Sequence, residues 1–376
     1  MNGKNIRLSK SSISQKEKDA VLKVLDSEFL GMGEEVKLFE DKIKEYLETS
    51  MDVVCVSTGT FALHLAISAL DIGEGDEVLV PSLTYVASYQ TISATGATPI
   101  SCEILPDTLF IDIEDAEKKI TKNTKAIMPV HYASSSKGMD KVYKLADEFN
   151  IRVIEDAAQA FGSVRDEKKI GTYGDVICFS FDGIKNITSG EGGAILSSDI
   201  EFIQKIKDAR LLGVEKDTER RFKGQRSWDF DVKEQGFRYH MSNIMASIGI
   251  VQLNRVDEFK SKRQQIAKKY IHGLSSIQDI CFLDFDFNEV LPHIFVIKAK
   301  KREKLREYLI SNNIECGIHY KPNHLLSKYK IDISLPITEK IYDEILTLPC
   351  HFDLTEAEQD KVIQKAREFY CNPPKN

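Results

Sequence analysis

Residues 175–194 read Asp-Val-Ile-Cys-Phe-Ser-Phe-Asp-Gly-Ile-Lys-Asn-Ile-Thr-Ser-Gly-Glu-Gly-Gly-Ala. The run 176–181 is rich in β-branched and aromatic residues, which predicts a short buried strand. A single lysine, Lys185, follows in a segment with few other charges. A glycine-rich turn spans 190–193, and 194–197 reads as another strand. About 30 residues before the lysine, the apolar run 151–154 ends in Glu155 and Asp156. That places a carboxylate at a strand's carboxyl end, where α/β sheets put their chemistry.

An ammonium is costly to desolvate. A lysine held between two apolar strands therefore has a lowered pKa and becomes a usable amine. Such an amine forms a Schiff base with an aldehyde, and pyridoxal 5′-phosphate is the common one. That cofactor needs an acidic partner for its pyridine nitrogen, and Asp156 is within the reach of one hairpin or crossover. Taken singly these signals have plainer readings. A lysine after a strand is most often at the surface, and Glu-Asp-Ala-Ala can simply open a helix, whose N-terminus favours acids. The order of an Asp, a Ser-x-x-x-x-Lys unit and Gly-Glu-Gly-Gly is what points to the cofactor.

Residues 155–159, Glu-Asp-Ala-Ala-Gln, together with Ser180, Phe181, Lys185 and the Gly-Glu-Gly-Gly of 190–193, resemble the DegT/DnrJ/EryC1/StrS family of nucleotide-sugar aminotransferases. The resemblance extends over nearly the whole chain. It implies the aspartate-aminotransferase-type α/β fold (fold type I), with a mostly parallel central sheet. Residues 1–250, including the N-terminal helices, would form a large cofactor-binding domain, and residues 251–376 a small α+β domain. It also implies a homodimer whose active sites are built from both subunits. The implied reaction moves an amino group from L-glutamate to a keto-deoxy sugar carried on a nucleotide, with pyridoxamine 5′-phosphate as the intermediate form of the cofactor. Lys185 would close the internal aldimine and act as general base and acid. Asp156 would hold the pyridine nitrogen, Gln159 would meet the phenolic oxygen, and Ser180 would add a hydroxyl to the phosphate. Tyr85 would stack on the ring, a role suited to a flat amphipathic side chain.

In chain order, Ser14-Gln15-Lys16-Glu17 fits a capping box before a helical pattern. Val36, Phe39, Ile43, Tyr46 and Leu47 repeat at helical spacing. A strand at 53–57, the turn Thr58-Gly59-Thr60 and an apolar helix at 61–70 make an anion site, since free backbone N–H groups and the helix dipole favour a phosphate. An ordinary N-cap is the plainer reading; the unit resembles the family's Ser-Gly-Thr-x-Ala-Leu phosphate loop. Strands at 77–80, 98–102 and 126–131 and a helix at 139–149 continue the alternation, which predicts a mostly parallel sheet with helices on both faces. A helix at 200–212 precedes a loop at 213–234 that is longer than packing requires. A long helix at 244–259, continuing through 264–274, leads to strands at 281–283, 293–299 and 314–318 and helices at 302–311 and 355–369.

Residues 236–243, Gly-Phe-Arg-Tyr-His-Met-Ser-Asn, resemble the family's Gly-x-Asn-x-Arg-Met segment with two departures. Arg238 stands where Asn is usual and His240 where Arg is usual. In the family that Asn reaches the phosphate of the neighbouring subunit's cofactor. Arg238 either does the same more strongly or leaves the contact to another residue, and His240 reads as structural. Residues 318–324 resemble the family's sugar-pocket segment. Tyr320 and His324, with Glu191, are expected at the substrate, while His319 reads equally as structural or functional.

The 376 residues carry a net charge of −7, which argues against nucleic acid or an anionic membrane as the main partner. No apolar run approaches spanning length, and the N-terminus has no apolar signal core. Seven scattered cysteines without zinc spacing predict no metal site, and several lie in apolar runs, which predicts buried free thiols in a reducing cytoplasm. The closest overall resemblance is to enzymes acting on dTDP-linked keto-6-deoxyhexoses. It favours dTDP-4-keto-6-deoxy-D-glucose over the 3-keto isomer, and a product feeding O-antigen, capsule, glycan or antibiotic sugars. Two other classes compete. A dehydratase of the family has histidine in place of Lys185. A regulatory protein that kept the fold would not need Asp156, Gln159 and Lys185 together.

Overall fold

The structure, a computed structural model, describes residues 5–226 and 228–371. Seven strands make the central sheet: β1 Asp52–Val56, β2 Glu77–Pro81, β3 Thr98–Cys102, β4 Thr124–Ile127, β5 Arg152–Asp156, β6 Val176–Ser180 and β7 Gly193–Ser197. Their spatial order is β1-β7-β6-β5-β4-β2-β3. Neighbours from β6 through β3 pair in parallel. Only β7 runs the other way, antiparallel to both β1 and β6. The carboxyl ends of β1, β5 and β6 therefore lie along one edge, and each leads into a predicted site residue.

Both faces of the sheet are covered, which is why its strands are near-continuous apolar runs. Side chains alternate between faces with the period of two that strands impose. Val53 and Cys55 join one core with Phe39, Ile43 and Leu47 of helix α2 (Glu34–Leu47), which follows helix α1 (Gln15–Asp26). Val54 and Val56 join the other core with Ala62, Leu65 and Ala66 of helix α3 (Gly59–Ala69) and Tyr89 and Ile92 of helix α4 (Val86–Ala94).

The predicted long helix at 244–259 is two helices, α5 (Asn243–Leu253) and α6 (Val256–Leu274). The chain turns between them where Arg255 reaches Glu17 Oε1 at 2.8 Å. Residue 250, where the sequence reading divides the chain, lies inside α5. Helix α6 starts in the first core with Val256 and Phe259 and ends in a third with Tyr270 and Leu274. That third core also takes in Ile6, which bridges Ile314. Its sheet is β8 (Ile280–Phe282), β9 (Phe295–Ala299) and β10 (Ile345–Leu348), all antiparallel. The strand expected at 314–318 meets it only at one bridge, Gly317 to Thr347 of β10, while Ile314 bridges Ile6. Exposed Glu315 and the side-chain-free Gly317 interrupt that run, whereas β10 is buried throughout. The long loop at 213–234 contains a short helix, Asp217–Phe222. Among the described residues no helix is long and apolar enough to cross a membrane, and no His/Cys/Asp/Glu group is placed to hold a metal ion.

Candidate active site

A cavity of about 520 Å³ opens at the carboxyl ends of β1, β5 and β6. Thr58, Gly59 and Thr60 line one end of it. Thr58 is extended and caps α3, its Oγ1 accepting the Phe61 N–H at 3.0 Å. First-turn amides have no acceptor inside their own helix, so those of Gly59 and Thr60 are available to an anion. Ser180, at the end of β6, packs directly on Gly59. A Cβ there would lie 2.6 Å from the Ser180 Cβ and 2.8 Å from its Oγ. Across β7 a Cβ on Gly193 would lie 2.5 Å from the Thr58 carbonyl oxygen. Two missing side chains thus let a helix N-terminus and a serine hydroxyl close to one point, a cradle suited to a phosphate.

Asp156 and Lys185 face the middle of the cavity. Asp156 is buried at the end of β5. Its Oδ2 accepts the Ser88 hydroxyl at 2.7 Å and its Oδ1 the Ala158 amide at 3.2 Å. Burial raises its pKa, while those two donors and the Lys185 charge pull it back. Lys185 lies in the turn after β6, its amide donating to the Asp182 carbonyl at 3.1 Å. Burial lowers the pKa of its amine, against the opposing pull of Asp156 and Asp182. An amine and a carboxyl group, each disfavoured in its charged form by burial, thus share one low-dielectric space. Gln159 Oε1 accepts the Ala133 amide at 2.8 Å, and Nε2 donates to the Tyr320 hydroxyl at 3.1 Å. Its second Nε2 hydrogen stays available. Tyr85 is 56 % exposed at the cavity and lies 5.6 Å from the Tyr320 ring. Glu191, exposed at the rim, has its carboxyl pKa raised by partial burial and by Asp182. The donor-rich cradle, carboxylate and amine match the phosphate, ring nitrogen and aldehyde of pyridoxal phosphate.

A family model described as the DegT/DnrJ/EryC1/StrS aminotransferase family matches residues 11–367. The chain belongs to that family. It is 36% identical over 378 residues to the GDP-perosamine synthase of Escherichia coli O157:H7, covering 98% of this chain and 100% of that protein. Among solved structures it matches S. venezuelae DesV in complex with a ketimine intermediate, at TM-score 0.87 and 32% identity, covering 95% and 94% of the two chains. A putative sugar aminotransferase from Streptococcus pneumoniae, in its PLP form, matches at TM-score 0.89 and 29% identity over 96% and 98%. The same protein is also solved in a PMP form. As a DegT-family member the chain is a nucleotide-sugar aminotransferase, and its cofactor is pyridoxal phosphate.

The structure brings eight of the nine cofactor residues expected from the sequence into one cavity, with Tyr320 and Glu191 beside them. It takes His324 out. That ring is 1 % exposed, with Nδ1 2.6 Å from the Ser82 hydroxyl and Nε2 3.3 Å from Glu339 Oε1. Both nitrogens serve the fold, so its place is structural, tying the loop after β2 to the C-terminal segment. Arg238 also lies outside the cavity, exposed on a segment bridged to Leu211. His240, two residues on, is bridged to Val56. Burial and the charges of Arg238, Arg221 and Arg210 hold its pKa at about 4, so it is neutral.

Three cavity residues went unread in the sequence. Asp182 accepts the Ile184 amide at 3.2 Å and shapes the lysine turn. An Asp two residues after the motif serine was the available signal. Thr84 belongs to the turn before α4. His293 is buried, with its amide donating to the Ser134 hydroxyl at 3.0 Å; burial, Lys185, Arg263 and His319 push its pKa well down. A histidine heading an apolar run was its only trace. His319, left between two readings, lines the cavity with Nδ1 2.8 Å from Thr347 Oγ1. Burial and Lys185 lower its pKa to about 4.

Proposed function

We propose that this enzyme moves an amino group from L-glutamate to the ketone of dTDP-4-keto-6-deoxy-D-glucose, with the 3-keto isomer as the alternative. The observation that carries the chemistry is the sharing of one buried cavity by Lys185 and Asp156, with the Thr58–Thr60 cradle at its end. Pyridoxal phosphate, when bound, supplies the carbon that carries the amino group and a ring that takes up electrons. In this reading Thr58, Gly59, Thr60 and Ser180 hold the phosphate, Asp156 the ring nitrogen and Gln159 the phenolic oxygen, while Tyr85 covers one ring face. Lys185 takes a proton from the donor's α-carbon and returns one, a task that the burial favouring its uncharged amine supports. Beyond it the cavity presents Tyr320, His319 and His293, groups that suit the hydroxyls of a sugar, with Glu191 at the rim. The enzyme works in the cytoplasm as a homodimer, and the exposed Arg238 reaches the phosphate in the partner's site.

A second nucleotide is favoured by one finding, the 36% identity to a protein named GDP-perosamine synthase. The test is purified protein with pyridoxal phosphate and L-glutamate, offered the dTDP-linked 4-keto and 3-keto sugars and a GDP-linked 4-keto-6-deoxyhexose. Product mass and NMR identify the aminated carbon. Nitrogen on carbon 4 of the dTDP sugar supports the reading; turnover of the GDP sugar alone replaces the nucleotide. Amination that survives in Lys185→Ala contradicts the role of the lysine. Sedimentation of the reconstituted enzyme at twice 42.6 kDa is expected for the dimer.

A further inference from the structure

The geometry points to Ser88 as a positioning residue that aims the Asp156 carboxylate into the cavity and holds it as the anion. This rests on the proposed pairing of Asp156 with the cofactor's ring nitrogen. Ser88 lies in the first turn of α4 and is fully buried. A serine hydroxyl carries one hydrogen, and an ionised carboxylate can only accept. The 2.7 Å contact to Asp156 Oδ2 takes that hydrogen in preference to the neutral Tyr85 carbonyl at 3.3 Å. It follows that Thr84 Oγ1, 2.9 Å from Ser88 Oγ, must be the donor in that pair.

The two hydroxyls form a directed series, Thr84 to Ser88 to Asp156, and such series polarise each other in a low-dielectric interior. Its far end is anchored. Asn323 Nδ2 donates to the Thr84 carbonyl at 2.8 Å and to the Ser82 carbonyl at 3.1 Å. The Asn323 amide also donates to Ser82 at 2.8 Å, and His324 holds the Ser82 hydroxyl. The segment 82–88 is thus pinned at one end by the C-terminal part of the chain and at the other by the carboxylate. Tyr85 stands between the two hydroxyls, so the same strut sets the stacking ring relative to Asp156.

Asp156 is faced by Lys185 from the turn after β6, Cys178 from β6, His131 after β4 and Tyr320 from the C-terminal segment. Among the described residues only Ser88 and Ala158 donate hydrogen bonds to its carboxylate. The Ala158 donor is backbone, so Ser88 is the one side chain through which this grip is varied.

The test titrates the full-length chain labelled with ¹³C at the aspartate carboxyl carbon, with Asp156→Asn assigning the signal. Ser88→Ala is expected to raise the Asp156 midpoint by about one unit or more, since a hydrogen bond to a charged group is lost. Thr84→Val is expected to raise it less, and Thr84→Ser to restore it; these two read the same strut should Ser88→Ala fold poorly. Cofactor affinity, measured by equilibrium dialysis, should weaken about tenfold in Ser88→Ala, matching one unit. Midpoints unchanged in folded Ser88→Ala or Thr84→Val overturn the proposal. A shifted midpoint with unaltered cofactor affinity, and unaltered pH dependence of the bound cofactor's absorbance, leaves the strut standing and overturns the pairing of Asp156 with the ring nitrogen.

Discussion

At Gly59 one methyl group decides between helix and site. In the first turn of a helix, alanine is ordinarily favoured over glycine by up to about 1 kcal/mol. Here the added carbon would lie 2.6 Å from the Ser180 Cβ. Gly59→Ala is therefore expected to weaken cofactor binding tenfold or more and also to lower the thermal midpoint, because the Ser180 backbone must give way. Equal affinities in equilibrium dialysis would falsify the cradle. Sequence reading works best for residues of this kind. Lys185, Asp156 and Ser180 each sit in a motif whose spacing carries the chemistry, and all three line the cavity. His324 misled for the opposite reason. Which way a ring points from a short turn depends on partners outside it, here the distant Ser82 and the nearer Glu339. His293 and Asp182 were hidden likewise, because nothing local marks a side chain as cavity-facing.

Helix α1 shows how an element is placed. Its capping box is complete, with Glu17 accepting from the Ser14 amide at 2.7 Å. The same carboxylate, 1 % exposed, also takes Gln252 Nε2 at 2.7 Å and Arg255 Nη1 at 2.8 Å. One side chain thus caps α1 and clamps it to the junction of α5 and α6. Glu17→Ala removes the charged acceptor shared by Ser14, Gln252 and Arg255, and is expected to destabilise by about 3 kcal/mol. Ser14→Ala, which loses only the cap, should cost about 1 kcal/mol. Denaturant midpoints of the two variants check the ratio; similar losses would contradict the clamp. The capping box was readable from Ser-x-x-Glu spacing. The break between α5 and α6 was not, because no proline or glycine marks it and its partner, Glu17, is more than 200 residues away.

Over the whole molecule, buried neutral histidines set the response to acid. Burial lowers the pKa of His64, His240, His293, His319 and His351, with His240 and His319 at about 4. The unfolded chain, with histidines near 6.5, binds more protons at mildly acid pH, so stability must fall as pH drops below that value. The buried carboxylates Glu17 and Glu155, both lowered to about 2, extend the decline. Their contribution is full above about 4.5 and is lost as pH approaches 2. Glu155 is held down by His131 and Arg165, whose Nη1 donates to it at 2.9 Å. Denaturant midpoints measured from pH 8 to pH 4 should fall steadily, and His240→Gln should flatten the slope. A profile level over that range would contradict the buried neutral rings. At this scale the alternation of strand and helix foretold a mostly parallel sheet. It did not foretell the insertion of one antiparallel strand, β7, between β1 and β6, because strand order is set by crossover geometry and not by local pattern.

That insertion has a consequence for synthesis. Among the strands of the sheet β1 pairs only with β7, from Asp52 against Ser197 to Val56 against Gly193, with one further bridge from Val56 to His240. About 140 residues separate them, so at ordinary elongation rates β1 leaves the ribosome on the order of 10 s before its partner exists. The Thr58–Thr60 turn that β1 carries is closed from below by Gly193. A nascent chain shorter than this strand has the glycines and threonines of the cradle but no floor beneath them. The cradle is therefore expected to close only once β7 has emerged, and not when the lysine does.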